Sequence, residues 1–180
     1  MVKVYTSSVV IIPPEDKWEP IQEIRRVYDK QIDRWMPHIN LLYPFRPKKE
    51  FETLEEMFVN ICRSIKPFEI TLMDIDFFLH RHQKFTLWFS PNPMSDIKTL
   101  QKELLKIVPD CNDVNRYDVG YMPHLSIGQA RSKGKMEQIR KELMLKWEPV
   151  SFLVDKIHFI SRDKLTNTPF EIEKTIFLRG

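Results

Sequence analysis

A six-residue pattern occurs twice in this chain. Met36-Pro37-His38-Ile39-Asn40-Leu41 matches Met122-Pro123-His124-Leu125-Ser126-Ile127 in register, and the two histidines stand 86 positions apart, at 38 and 124, in 180 residues. A period of about half the chain is too long for a solenoid and fits a pseudo-twofold duplication. The flanking sequence repeats as well. Residues 4–12 are β-branched and stop at Pro13-Pro14, which predicts a strand ended by a turn. Pro20 suits a first helical turn, and Ile21, Ile24, Val27, Tyr28 and Ile32 follow at helical spacing. A short strand from His38 to Tyr43 comes next. Leu54, Met57, Phe58, Ile61, Cys62 and Ile65 then mark a second amphipathic helix, and 68–78 and 84–89 read as strands. The order then recurs: a helix capped by Ser95 through Ile97, Leu100, Leu104 and Val108, a strand from His124 to Gln129, a helix through Met136, Ile139 and Leu143, and strands near 150–160 and 170–178. The expected fold is α+β, a strand-helix-strand-helix-strand unit over roughly 4–78 and again over 84–160, with an extra strand at 170–178. No linker separates the units, so residues 1–180 read as one bilobal domain. The one long irregular stretch, 109–122, leads into the second histidine.

Composition narrows the class. With 42% hydrophobic and 29% charged residues the chain suits a compact globular unit and argues against disorder. Its net charge of +3 is mild, and its excess lies in the second half. A long polyanion gripped at many phosphates needs a denser basic patch, whereas a small or singly phosphorylated partner fits. No apolar run reaches the roughly 20 residues of a membrane span, and the start lacks a signal peptide's apolar core. The expectation is a monomer in the cytoplasm, with the nucleus also open, and no membrane association. Four glycines leave no phosphate-cradling loop. Cys62 and Cys111 are too few for a disulfide framework or a paired-cysteine zinc site.

Alternation along a strand puts His38 and Asn40 on one face, and likewise His124 and Ser126. Two such pairs facing each other across one cleft suit phosphoester chemistry. A neutral imidazole takes a proton from an attacking water or hydroxyl while the other, protonated, gives one to the leaving oxygen. Asn40 and Ser126 can donate to non-bridging phosphate oxygens as phosphorus becomes five-coordinate. Gly128 is expected on the face of His124 and Ser126, where a missing side chain leaves room for the phosphate. Neither metal nor cofactor is called for.

The two motifs resemble the paired H-x-T/S-hydrophobic signatures of the 2H phosphoesterase superfamily, which includes 2′-5′ RNA ligase-like proteins and cyclic phosphodiesterases. The resemblance covers nearly the whole chain. It implies mainly antiparallel sheets around a central cleft with helices outside. It also implies a metal-independent hydrolase acting on RNA ends or small nucleotides that carry a 2′,3′-cyclic phosphate or a 2′-5′ or 3′-5′ linkage. Carried over by position, it assigns His38 and His124 to acid–base catalysis and Ser126 to phosphate binding. Asn40 departs from the family's usual Thr or Ser; its amide can still donate to phosphate. Ligation through a 2′-5′ bond, and an RNA-binding module that has lost turnover, are the alternatives.

Other residues have two readings. Tyr43, Tyr121, Trp35 and Phe45 lie near the motifs and either stack on a base or fill the core. Arg131, Arg34 and Arg46 flank the motifs and either neutralise phosphate or do nothing specific. His80 and His82 share a spacing compatible with metal binding, but a turn between two strands explains them better. His158, within an apolar strand, reads as structural, and Ser161-Arg162-Asp163 as a turn or a cleft-edge contact.

Overall fold

A computed structural model describes residues 2–115, 120–166 and 168–180. The middle of the irregular stretch, 116–119, lies outside the described residues. The elements run β1 (Ser7–Ile11), α1 (Trp18–Tyr28), β2 (Ile39–Leu42), α2 (Phe51–Cys62), β3 (Phe68–His80), β4 (Lys84–Asn92), α3 (Met94–Leu105), β5 (Leu125–Ala130), α4 (Lys133–Met144), β6 (Val150–Val154), β7 (Lys156–Ser161) and β8 (Glu171–Phe177). The eight strands form one curled sheet in the order β6-β3-β4-β5-β2-β1-β7-β8, with each neighbouring pair antiparallel. It makes a half-barrel around a cleft.

The centre of this order is the seam between β2 and β5, which holds a single paired position, Ile39 with Leu125. On either side the halves are β2-β1-β7-β8 and β5-β4-β3-β6, and each draws strands from both copies of the repeat. The stretch 150–160 divides at Asp155, whose carbonyl accepts from the Leu178 N–H at 2.8 Å. β6 then edges one half of the sheet while β7 lies inside the other.

One face of the sheet is apolar and covered. Ile39, Leu41, Leu87, Phe89, Leu125, Ile127, Ile157 and Phe159 are all fully buried in one continuous core, with α1 laid on β5, α2 on β8, α3 on β2 and α4 across β3, β4 and β5. Among the described residues, no helix is long and apolar enough to cross a membrane.

Two helix boundaries differ from the periodicity. α1 stops at Tyr28, short of Ile32, because Asp29 turns to extended backbone (φ −103, ψ 109) and its carboxylate accepts from Arg25 Nε at 2.8 Å and the Gln31 N–H at 2.9 Å. Side chains that bond nearby backbone in this way end helices. α3 starts at Met94 behind Pro93, so Ser95 lies inside the first turn and makes no capping bond; proline's fixed φ already favours a helix start.

Gly128 also departs from simple alternation. The β4–β5 register shifts between Leu87 and Trp88, so that Trp88 pairs with Ser126 but Leu87 with Gly128. The bulge turns Gly128 to the helix-covered face beside the buried Leu87. A Cβ there would lie 2.5 Å from Tyr28 Cβ and 3.0 Å from the Tyr28 carbonyl oxygen. Gly128 therefore makes room for the end of α1, not for a phosphate. Gly128→Ala is expected to destabilise the fold by about 1–3 kcal/mol through overpacking. Gly134→Ala, in α4 with nothing within 4 Å of the added carbon, should stabilise by roughly 0.5–1 kcal/mol. Urea denaturation of both variants checks this, and a neutral Gly128→Ala would refute the close approach.

Candidate active site

Ile39 and Leu125 point into the core, so the residues on either side of each point the other way, into the cleft. The antiparallel register through this pair sets His38 across from Ser126 and His124 across from Asn40. The structure thus brings together four side chains proposed from sequence. The two halves contribute equally, one histidine and one short polar donor each.

The preceding dipeptides explain how the rings are held. A residue before proline favours extended backbone, and both prolines, Pro37 and Pro123, are buried. His38 Nδ1 lies 2.7 Å from the Met36 carbonyl oxygen, and His124 Nδ1 lies 2.7 Å from that of Met122. A carbonyl only accepts, so Nδ1 carries the proton in both rings, and Nε2 bears the lone pair in the neutral form. The sequence motif therefore begins at methionine, whose backbone orients the imidazole two residues on.

Aromatic walls hold each ring from behind. Trp35 stacks on His38 with centroids 4.5 Å apart, and Phe170 stacks on Trp35 at 3.7 Å. With both neighbours stacked on it, Trp35 serves as a backing for His38 and not as a platform for a base. In the other half, Phe78 meets His124 edge-on at 4.8 Å and stacks on Trp88 at 4.9 Å. The buried indole N–H of Trp88 has no hydrogen-bond partner among the described residues. Phe78 and Trp88 escaped the sequence reading because nothing local links β3 and β4 to a motif more than thirty residues away.

Asn40 is already engaged. Its Nδ2 donates to His38 Nε2 at 3.1 Å, and its Oδ1 accepts from Ser8 Oγ at 2.7 Å. Ser8 lies fully buried on β1. This contact requires a neutral His38 ring. Burial pushes the His38 pKa down to about 4 from an ordinary 6.5, opposed by the Met36 carbonyl, with the Arg25 guanidinium and His124 lowering it further. Burial also lowers His124, and the Met122 carbonyl opposes it.

Arg25 was not singled out by the sequence, where it reads as one of many helix-surface cations. It is only 2% exposed, and besides pairing with Asp29 it donates to Gln22 Oε1 at 2.9 Å and to the Trp35 carbonyl at 2.8 Å. Asp29 in turn accepts from Gln129 Nε2 at 2.9 Å. The end of α1 is thereby tied to the loop before His38 and to β5 together.

The remaining candidates fall elsewhere or act as supports. Tyr121 is buried and donates its hydroxyl across the seam to the Asn40 carbonyl at 2.7 Å, which occupies it as a brace. Tyr43 is half-buried, bonds to the Tyr5 carbonyl at 3.3 Å and sets its ring edge-on to Trp35 at 5.5 Å. Phe45 is wholly in the core, and Arg46 is buried and ion-paired with Asp110. Arg34 is exposed, and its carbonyl accepts from the Phe170 N–H at 2.9 Å. Arg131 is exposed beyond the end of β5, beside Tyr28, Lys30 and Lys135, so the structure does not bring it to the histidines. His80 and His82 lie at the β3–β4 reversal, with His80 Nε2 3.0 Å from Thr86 Oγ1. His158 is buried with Nδ1 2.9 Å from Thr175 Oγ1. After β7, Asp163 Oδ1 accepts from the Leu165 N–H at 2.7 Å, forming a turn, while Arg162 lies over the Phe170 ring at 5.6 Å. Cys62 and Cys111 are buried free thiols. Among the described residues, no three His, Cys, Asp or Glu side chains come together in a group that could hold a metal.

A half-barrel whose two halves each present a histidine at the seam is a two-histidine arrangement. Residues 13–166 match the family model of the 2′-5′ RNA ligase superfamily, and the chain belongs to that family. No curated protein matches it in sequence. In fold it is similar to E. coli LigT in the apo form, with a TM-score of 0.66 at 15% identity over 99% of this chain and 100% of that one. It is also similar to LigT complexed with 3′-AMP, with a TM-score of 0.63 at 13% identity over 99% and 100%. TT0787 of Thermus thermophilus gives a TM-score of 0.65 at 14% identity over 97% and 98%.

Two expectations follow from the electrostatics. Asn40→Ala removes an N–H that favours the neutral ring, so the His38 pKa should rise from about 4; nitrogen-15 NMR of the ring checks this, and an unchanged or lower value would contradict the contact. Separately, burial also pushes His158 down to about 4. Between about 6.5 and about 4 the unfolded chain protonates these rings while the folded chain does not. Stability is therefore intact above that window and is lost as pH falls through it, by about 1.4 kcal/mol per pH unit for each ring. Urea midpoints at pH 7.5, 5.5 and 4.5 read the slope, and His158→Gln should make it shallower.

Proposed function

We propose that this protein is a phosphodiesterase that opens a 2′,3′-cyclic phosphate, or cleaves a short oligonucleotide phosphodiester, by two-histidine acid–base catalysis without a metal. The observation that carries the reading is the matched pair of rings at the seam, each fixed through Nδ1 with Nε2 turned to the cleft. The resemblance of the fold to LigT, which is known complexed with 3′-AMP, supports a nucleotide in that cleft.

The two environments divide the roles. His38 has the Arg25 charge beside it and an amide N–H on its Nε2, both of which favour the neutral ring, so His38 is the base. His124 lies across from Asn40 and, in this reading, acts as the acid once substrate is bound, because burial alone favours its neutral form as well. A phosphate placed between them brings negative charge that favours imidazolium. Water attacks phosphorus and gives its proton to His38 Nε2, while the bond from phosphorus to one ribose oxygen breaks and that oxygen takes the proton of His124. Ser126 donates to a non-bridging oxygen, and Asn40 turns its N–H from His38 to the phosphate. Such donors hold the charge that develops in the transition state.

The test is a panel of 2′,3′-cyclic nucleotides and 2′-5′ and 3′-5′ dinucleotides in excess EDTA, with the position of the product phosphate read by phosphorus NMR. Turnover should persist in chelator with a bell-shaped pH profile. His38→Ala and His124→Ala should each lose roughly 10²–10⁴-fold in kcat. Loss of activity in EDTA, or a near-wild-type rate in either variant, would overturn the mechanism.

A further inference from the structure

The cleft face of the second half of the sheet is electrically polarised along its strands. Beyond the pair Trp88 and Ser126, the β4–β5 ladder runs through Thr86 with Gln129 to Phe85 with Ala130, and β3 follows alongside to His80 with Lys84. Alternation places Asp74, Asp76, Phe78 and His80 of β3 on this face together with Lys84, Thr86 and Trp88 of β4. The aromatic contacts of Phe78 with His124 and Trp88, and of His80 with Thr86, agree. Toward the base of β3 the exposed groups are acidic, Asp74 and Asp76. Toward the hairpin tip they are basic, with Arg81 and Lys84 exposed and His80 and His82 beside them.

The next step past Phe85 and Ala130 brings Lys84 beside Arg131 at the same end of the sheet. Arg131 shares a surface depression with Lys30 and Lys135. Among the described residues, Arg81, Lys84, Arg131 and Lys30 make no ion pair. Asp29, which borders the same depression, is committed to Arg25 and Gln129. The tip is also held in a costly conformation, since His82 (φ 60) and Gln83 (φ 52) are both left-handed without being glycine. Four exposed cations gathered at one end of the sheet present positive charge to an anionic ligand.

We propose that this basic end, formed by Arg81, Lys84, Arg131 and Lys30, holds the trailing phosphates of a single-stranded oligoribonucleotide whose terminal phosphate lies between His38 and His124. The proposal rests on the phosphodiesterase reading for the terminal phosphate only. Five residues of strand separate Ser126 from Arg131, about 16 Å, which a strand of several nucleotides spans and a single nucleotide does not. Asp76 stands level with Trp88 and Ser126, and Asp74, two residues further from the tip, repels a strand leaving the other way. The modest net charge is reconciled with a nucleic-acid partner because the cations that matter are few and gathered at one end.

The test measures binding of fluorescent oligoribonucleotides of one to nine residues, each with a non-cleavable 3′-phosphate, across a salt series. Affinity should rise at least tenfold between one residue and five, and then level off. The double variant Arg81→Ala with Lys84→Ala should lose that gain, and its slope of log affinity on log salt should shrink by about 0.7 for each phosphate contact removed. Arg131→Ala with Lys30→Ala should do the same. Equal affinity at all lengths, or unchanged slopes in folded variants, overturns the proposal, as does a duplex bound as tightly with the same losses. Because no turnover is read, length- and salt-dependent binding without hydrolysis of cleavable strands would support this surface and count against the phosphodiesterase reading alone.

Discussion

One strand pair holds the cleft together. Ile39 and Leu125 are the point at which β2 and β5 bond, and both side chains are wholly buried. A slip of one residue in either strand would carry a histidine into the apolar core and a leucine or isoleucine into the cleft. Burial of Ile39, Leu41, Leu125 and Ile127 therefore fixes the outward direction of His38, Asn40, His124 and Ser126. Because the strands pair only at that position, the sheet opens there, and the candidate site lies at the opening. The seam is short in hydrogen bonds but reinforced from both sides, by the Tyr121 hydroxyl on the Asn40 carbonyl and by Gln129 reaching to Asp29.

The second support is a buried ion pair. Taking Arg25 and Asp29 out of water is costly, and such pairs add little net stability over apolar residues of equal size. Here each of the three guanidinium nitrogens donates once, to Asp29, Gln22 and the Trp35 carbonyl. What the pair supplies is position. It joins the end of α1 to the backbone of Trp35, whose indole backs His38, and of its two charges the guanidinium, which lowers the basicity of that ring, outweighs the carboxylate, which raises it.

The repeat made the plan of the fold readable from the sequence, because a duplicated Met-Pro-His on apolar alternation has few solutions. The two histidines, the polar residue two positions after each, and the element order all follow from spacing and side-chain chemistry. Three things did not. The bulge at Leu87 and Trp88 moves Gly128 to the opposite face, and a bulge is set by how two distant strands register, which alternation within one strand cannot reveal. Trp35 stands near the histidine in sequence, but Phe170, far along the chain, occupies its other side. Arg25 has no local signature distinguishing a buried guanidinium from a solvated one. In each case the deciding partner is remote in sequence.

The motifs are symmetric but their surroundings are not, and the proposed division into acid and base rests on that difference. Two identical imidazoles in identical sites would share one proton without preference, and half of the molecules would be poised for the wrong step. Asn40 in the first motif reaches back to its own histidine and is held there by Ser8, whereas among the described residues no hydrogen bond joins Ser126 to His124. Arg25 and Asp29 also act on the His38 ring, the guanidinium lowering its pKa and the carboxylate raising it, whereas at His124 burial is opposed by the Met122 carbonyl. Environments that push paired titratable groups apart assign their roles, and in this chain the longer amide at position 40 contributes to that separation.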